Sequence, residues 1–553
     1  SRIVLPTTVT YVADGAFYNM RRLTEIEFEE GGTEPLVFSP TAIDWNTDSG
    51  NAIQVLTLPA RLQEFEDAAP LVFARYTNLQ EINIVGTYTG KDDEGNDIVQ
   101  AYSSWNGMLL NGGRDTLLFC PIGTTLTQVT IPGFILNIGD YAFCVNPSGE
   151  YWSRAQHNNI TSVTFHPAMR EIGDYAFYRS ENLETVVFPA ASNPSELTIG
   201  EYAFASCPHL STVTFNETGT MGTETVEDVL YYVYQPEQSC GIVEIGDYAF
   251  ADCPEIGEIV LPSTLETIGN YAFAEDSGLQ DLDLSHIHYK LKFGLYTFDS
   301  CTGLTSVELT DNVGEIEFYA VFHNCTNLAE FTVSPNNPNY SSDKGVIYNR
   351  NKTTIIYFPD GYDEATDGYY QIPSTVTTIG GAAFSGKSNL TQITIPATVT
   401  TIGASAFAEC PNLATVKFDT AKGDPLTIET YAFYGCGKLT SVTLPARTKS
   451  IGNYSFAATS TAGANGGLTS VTLNEGLTTI GEYAFRGQKG ITSITIPSTV
   501  TSIGASAFAY SGLTGVNPVT FTQPSSGTRE KFTLGEYVFS GTSITKFELP
   551  EGL

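Results

Sequence analysis

The sequence is poor in what most functional classes require. No run of eighteen apolar residues occurs in its 553, so no segment is expected to cross a bilayer as a helix. Basic residues are scarce: 26 Lys and Arg against 61 Asp and Glu leave a formal net charge of -35, which repels nucleic acid and anionic lipid. The six His are scattered and no C-x-x-C joins any of the nine Cys, so no metal site is spelled out. The chain contains no G-x-S-x-G elbow, P-loop or H-E-x-x-H, and no G-x-G-x-x-G that follows a strand and opens a helix. Carboxylates abound, but no pair is set apart by spacing as a general acid and base. No enzymatic activity and no obligatory cofactor are expected.

What is present is a repeat. One unit reads Leu439-Thr-Ser-Val442-Thr-Leu444-Pro445, then Ile451-Gly452-Asn453-Tyr454-Ser455-Phe456; a later one reads Ile491-Thr-Ser-Ile494-Thr-Ile496-Pro497, then Ile503-Gly504-Ala505-Ser506-Ala507-Phe508. The template is L-x-x-V-x-L-P followed by I-G-x-x-A-F-x-x-C. Its Phe recurs at 17, 73, 143, 177, 204, 250, 273, 298, 322, 384, 407, 433, 456, 485, 508 and 539, and the shortest step, as from Phe250 to Phe273, is 23 residues. That period lies in the leucine-rich-repeat range. Val and the second Leu, two apart, face one way from a short strand, which the Pro ends because it cannot donate to a ladder. Gly suits a tight bend, Ala permits close approach, and Phe fills the space between coils. One unit cannot bury its own apolar side, but stacked units can. The expected fold is an α/β-poor repeat solenoid. It is a right-handed leucine-rich-repeat coil with short parallel strands, about twenty coils and β-hairpin insertions, forming a single solenoid over residues 1–553. Insertions are expected near 30–52, 86–121, 145–159, 216–241 and 334–371. Gly107–Pro121 and Gly345–Pro359 match in Gly, Asn, Thr and Pro, and each reads as a β-hairpin projecting from or capping the solenoid edge. Both termini fall inside a repeat, so both ends are expected to be trimmed.

The unit resembles the BspA-like leucine-rich repeats, the Treponema pallidum type, found in surface proteins of oral and gut anaerobes, treponemes and trichomonads. The resemblance covers nearly the whole chain outside the insertions. It implies a secreted or cell-surface protein, adhesive in some members, and it carries over no catalytic residue.

Six cysteines, Cys207, Cys253, Cys301, Cys325, Cys410 and Cys436, stand three after the Phe. They read as small buried thiols at one core site. Disulfides between adjacent coils, Cys301 with Cys325 or Cys410 with Cys436, are the alternative. Asp276, Ser388 or polar residues neighbouring Lys489 stand near this position in other units.

Two candidate binding surfaces emerge. The positions flanking Val on the strand point outward and carry mostly Ser and Thr. Four consecutive coils in the middle instead present Glu258 with Val260, Asp281 with Asp283, Ser306 with Glu308, and Glu330 with Thr332. Five of these eight positions are acidic, where 61 in 553 predicts about one. Like charges opposite one another on neighbouring strands destabilise a sheet, so the array reads as a site for a basic protein patch or Ca²⁺, or as clustering on an acidic surface. The second surface is aromatic: Trp45, Trp105 and Trp152, with Tyr102, Tyr151, Tyr231, Tyr232 and Tyr234, lie outside the repeat. They are available either for recognition or for packing the insertions onto the coils. The leading expectation is an extracellular or cell-surface adhesin, monomeric, that binds host or bacterial surface proteins through the strand face and insertions. The alternatives are a glycan-binding surface protein and a structural spacer for a missing domain.

Overall fold

A computed structural model describes residues 1–18, 20–39, 42, 52–65, 73, 76, 78–91, 97–144, 158–226, 229–362, 369–459, 467–524 and 531–549. The chain is a leucine-rich-repeat β-solenoid of about 19 turns. Among the described residues the only α-helix is the four-residue turn Phe318–Val321. The residues divide into two compact units, Ser1–Leu304 with Thr310–Cys325, and Thr305–Leu309 with Thr326–Leu553.

Each coil contributes two short strands. The L-x-x-V-x-L segment stacks in parallel on its neighbours with the central apolar residue in register, as in Val163, Val186 and Val213. The x-I-G segment forms the longer ladder. In the first unit it is nine-stranded and aligns Ile138, Ile172, Ile199, Ile245, Ile268 and Phe293. In the second unit it is ten-stranded and aligns Ile355, Ile379, Ile402, Ile428, Ile451, Ile480, Ile503 and Leu534. Gly follows Ile because the preceding coil passes close by. A Cβ on Gly269 would sit 2.4 Å from the Asp247 amide nitrogen, and one on Gly294 2.5 Å from that of Asn270.

The A-F segment makes the return bend, and in most coils it forces two residues into the left-handed region. Examples are Tyr202 (φ 52°) with Ser206 (φ 54°) and Tyr271 (φ 57°) with Glu275 (φ 65°). Non-glycine residues there cost roughly 1–2 kcal/mol each. Inter-coil hydrogen bonds offset the cost: the Tyr202, Phe204 and Ser206 amides donate to Asp247, Ala249 and Ala251 carbonyls at 2.9, 2.7 and 2.8 Å.

The Phe residues stack into columns. Centroids of Phe143, Phe177, Phe204, Phe250, Phe273, Phe298 and Phe322 are 4.4–5.6 Å apart in the first unit. Those from Phe384 to Phe539 are 4.9–6.0 Å apart in the second. Phe273 and Phe298 are completely buried.

All nine cysteines are free and buried. Those at the repeat position share one contact: each thiol donates to the Phe carbonyl of the preceding coil, Cys207 to Phe177 at 3.2 Å, Cys301 to Phe273 at 3.1 Å and Cys410 to Phe384 at 2.9 Å. Where Cys is absent the position holds other residues, among them Ser180, Asp276, Lys387, Thr459, Gln488, Ser511 and Thr542, so Lys387 occupies it rather than its neighbour Ser388. Gln488 keeps the bond, with Nε2 donating to the Phe456 carbonyl at 2.6 Å.

The two matched hairpins do not project. Each is the middle and end of a three-stranded antiparallel meander, Tyr102–Trp105, Met108–Asn111 and Thr116–Phe119 in one, Tyr340–Asp343, Val346–Asn349 and Thr354–Tyr357 in the other. The last strand of each begins a long parallel ladder, pairing with Asn137–Ile138 and Thr378–Ile379 respectively. The middle strands Met108–Leu110 and Val346–Tyr348 are buried, so the meanders are internal caps.

Candidate functional site

The acidic strand face is less continuous than its sequence. Glu258–Val260 pairs with Asp281–Asp283 in one two-stranded sheet of the first unit, and Ser306–Leu309 pairs with Glu330–Val333 in a separate one of the second. Only Glu258 and Asp281 stand opposite one another as like charges; Asp283 faces Val260, Glu308 faces Thr332, and Glu330 faces Ser306. Asp283 is already engaged, accepting the Ser285 amide at 2.7 Å. Among the described residues no group of three or more His, Cys, Asp or Glu is arranged to hold a metal ion.

A second, more continuous acidic surface lies along the x-I-G ladder of the first unit. A groove of about 650 Å³ runs across five coils, from Asp174 to Gly294. Asp174, Glu201, Glu244 and Asp247 line it, with Lys292 near the last coil. Two of these carboxylates are pinned by the next coil. Asp174 Oδ1 accepts the Glu201 amide at 2.8 Å, and Asp247 accepts the Asn270 amide at 2.6 Å and its Nδ2 at 3.1 Å. A short Asp or Asn after I-G reaches the following backbone, so the ladder holds its own charges in place.

The residue after that Asp is usually Tyr, one of the two left-handed positions, and it forms a column that pattern reading left as x. Rings of Tyr141, Tyr175, Tyr202, Tyr248, Tyr271 and Tyr296 stack at 4.6–5.0 Å, half-exposed. Partial burial first, then the phenols of Tyr248 and Tyr175 and the Glu201 carboxylate, raise the Tyr202 hydroxyl above its ordinary value. The motif I-G-D-Y-A-F at 172–177 and 245–250 carried the signal for both rows.

Of the aromatic candidates, Trp45, Trp152 and Tyr151 lie outside the described residues, as do the side chains of Tyr231 and Tyr232. Tyr234 belongs to a long hairpin, Thr218–Val226 with Val229–Gln238, that folds back on the coils. Its ring stacks on His286 at 4.0 Å, and His286 lies 3.6 Å from the Glu217 carboxylate. Burial pushes that carboxyl above its usual value, against the Ser263 hydrogen bonds and His286, which pull it down. Tyr234 therefore packs the insertion. Tyr102 and Trp105 sit on the first strand of the first cap, half-buried, and Trp105 meets Phe134 edge-on at 6.5 Å.

A family model described as a BspA type leucine rich repeat region matches in six copies over residues 1–92, 119–228, 243–371, 362–465 and 464–553. No curated protein matches. Similar solved structures include a leucine rich cell surface protein from Faecalibacterium prausnitzii A2-165, 20% identical, with a TM-score of 0.43, over 80% of this chain and 96% of that one. Another is a leucine-rich repeat protein from Bacteroides ovatus, 20% identical, with a TM-score of 0.42, over 80% of this chain and 90% of that one. The pneumococcal vaccine antigen PcpA is 20% identical, with a TM-score of 0.40, over 73% of this chain and 90% of that one. The strand pair, the buried Phe column and the match to the family model over most of the sequence agree: this chain belongs to the BspA type leucine rich repeat family.

Proposed function

We propose that the chain is a cell-surface or secreted binding protein that recognises protein partners through the outer faces of its coils, with the x-I-G groove of the first unit taking a basic, extended segment. The observation that carries this reading is the row of Asp174, Glu201, Glu244 and Asp247 along one open groove, two of them held by the next coil's amides. Carboxylates already fixed in place lose little freedom when a cation docks. The groove is open, polar and rigidly laddered, which suits an extended chain better than a small enclosed substrate. Membership of a family that includes surface proteins supports an extracellular position for such a surface.

The test is a titration with a fluorescent ten-residue Lys/Arg peptide at physiological salt, where exposed charges more than roughly 8 Å apart are screened. The double substitution Glu201→Lys, Asp247→Lys is expected to weaken binding at least ten-fold. Reversing a carboxylate of the second unit, Glu482→Lys, is expected to change it less than two-fold. Equal losses from both would refute the groove as the docking surface.

A further inference from the structure

The two internal caps are built on one backbone plan. Tyr102 pairs with Asn111 and Trp105 with Met108; Tyr340 pairs with Asn349 and Asp343 with Val346. The turn residues Asn106 and Gly107 (φ 50° and 75°) match Lys344 and Gly345 (φ 51° and 78°). Ser103 and Ser341 hydroxyls donate to the Asn111 and Asn349 carbonyls at 2.7 and 2.8 Å. Asn111 Oδ1 accepts the amides of Asp115 and Thr116, as Asn349 Oδ1 accepts those of Thr353 and Thr354. Gly107 and Gly345 carbonyls accept the Ile82 and Phe331 amides at 2.8 and 3.1 Å.

The surfaces of the caps differ. Following the registers Thr116 to Asn137 to Glu171 and Thr354 to Thr378 to Thr401, Phe134 corresponds to Thr375, His166 to Pro396 and Arg170 to Thr400. Trp105 corresponds to Asp343 and Arg114 to Lys352. The first cap thus gathers two aromatic rings, two arginines and a histidine where the second has mostly small or acidic residues. The shared backbone needs none of the aromatics.

The cluster is assembled and open. The Trp105 and Phe134 rings are perpendicular (87°), and Phe134 is 43% exposed. The Arg114 guanidinium lies over Phe134 at 5.4 Å. A Cβ on Gly133 would touch the His166 ring at 2.8 Å, so that ring packs against the backbone of Gly133, the residue before Phe134. His166 Nδ1 accepts the Ala168 amide at 3.1 Å, leaving Nε2 to donate. Asp115, the nearby carboxylate, is occupied by Asn111 Nδ2 at 2.7 Å and the Thr116 hydroxyl at 3.2 Å. Those bonds, the Asn111 one foremost, with Arg170 contributing, hold its carboxyl below the usual value. Arg114, His166 and Arg170 are exposed.

We infer that Trp105, Arg114, Phe134, His166 and Arg170 form a binding site for a carboxylate-bearing pyranose saccharide. The perpendicular rings offer an apolar corner for the C–H face of a sugar. The guanidinium forks donate bidentately to a carboxylate, and His166 Nε2–H donates to a ring hydroxyl. The charge argues for an acidic ligand: a cationic cluster on a chain of net charge -35 selects for an anion that the rest of the surface repels. This site is independent of the groove reading, since it has the opposite charge and a different ligand.

The shared chemistry has two sources, an internal uronate of a polysaccharide or a terminal sialic acid. Calorimetric titration of the whole chain with a hyaluronan octasaccharide and with 3′-sialyllactose separates them, with lactose as the neutral comparator and a polyaspartate peptide as the non-sugar anion. At least one acidic sugar is expected to bind at least ten-fold more tightly than lactose and polyaspartate. Trp105→Asp with Phe134→Thr, the residues the second cap already uses, is expected to abolish that binding and leave the melting temperature within 2 °C, on the order expected of surface changes. Arg114→Thr is expected to weaken the acidic sugars and leave lactose unchanged. Failure of both acidic sugars, equal binding of lactose or polyaspartate, or full binding by the folded double variant would overturn the inference.

Discussion

The long ladder of the first unit and that of the second have the same interior and different edges. Both are built on a Phe column with similar spacings and a buried Ile row. At the left-handed position after I-G-x, the first unit has an unbroken six-ring Tyr stack. The second has Ala382, Ser405 and Ser506 among its residues, with only Tyr431, Tyr454 and Tyr483 stacked. The acidic groove lies along the first ladder. Packing at full density leaves the interior no latitude. The edge has only to accommodate a bend, so chemical variety, and with it recognition, collects there.

The largest test of that equivalence is to open both columns. Phe273→Ala and Phe456→Ala each remove a fully buried ring and should each cost about 3–5 kcal/mol, read from urea unfolding. A large loss in one and none in the other would show that the interiors differ after all.

The next distinguishes the residues that replace cysteine. Asp276 is completely buried, Oδ1 accepts the Cys253 amide at 2.8 Å, and Oδ2 has no partner. Burial, then the neighbouring Cys253 thiol, pushes its carboxyl well above 3.8, so the native state holds a proton that the unfolded chain releases; Asp252 and Glu275 act in the same direction. Unfolding therefore releases a proton above that pH, and stability should fall as pH rises from about 4 toward neutrality. Asp276→Cys, restoring the thiol found in the adjoining coils, should flatten the decline and add about 1–3 kcal/mol at pH 7. Gln488, the uncharged counterpart in the second unit, should show no such slope when replaced by Cys. An unchanged pH profile for the Asp276 variant would mean the carboxyl is ionised in the native state.

Smaller effects belong to the edges. Tyr202→Ser, the residue used at this bend by Ser405, should cost about 1 kcal/mol of stacking, visible as a modest drop in melting temperature. No change would make the Tyr column ornamental to stability. Smallest of all, Asp281→Lys turns the one opposed like-charge pair, with Glu258, into an attractive pair and should raise stability by about 0.2–1 kcal/mol.

The repeat made most of the interior legible. Leu, Val, Leu, Ile, Ala and Phe recur at the same places in the unit, and a residue type that recurs in every coil is one the stacked interior requires. The Cys position was expected as a buried thiol site, though not its hydrogen bond to the preceding Phe carbonyl. The acidic strand face was legible only as composition. Its five carboxylates span two sheets, and a reading along the chain cannot show where one stack of strands stops pairing. Phe134, His166 and Arg170 carry no signal in the sequence, because each alone is an ordinary surface residue. They meet Trp105 only through the stacking of three successive coils.

The amino-acid pattern alone settled the coil, because a period of 23 residues repeats the same local burial problem and has one local solution. Which coils join into one sheet, which hairpins fold into the ladder rather than away from it, and whether Asp276 carries a proton were decided by tertiary structure. Each depends on contacts between residues distant in sequence, and a periodic pattern holds no information about those.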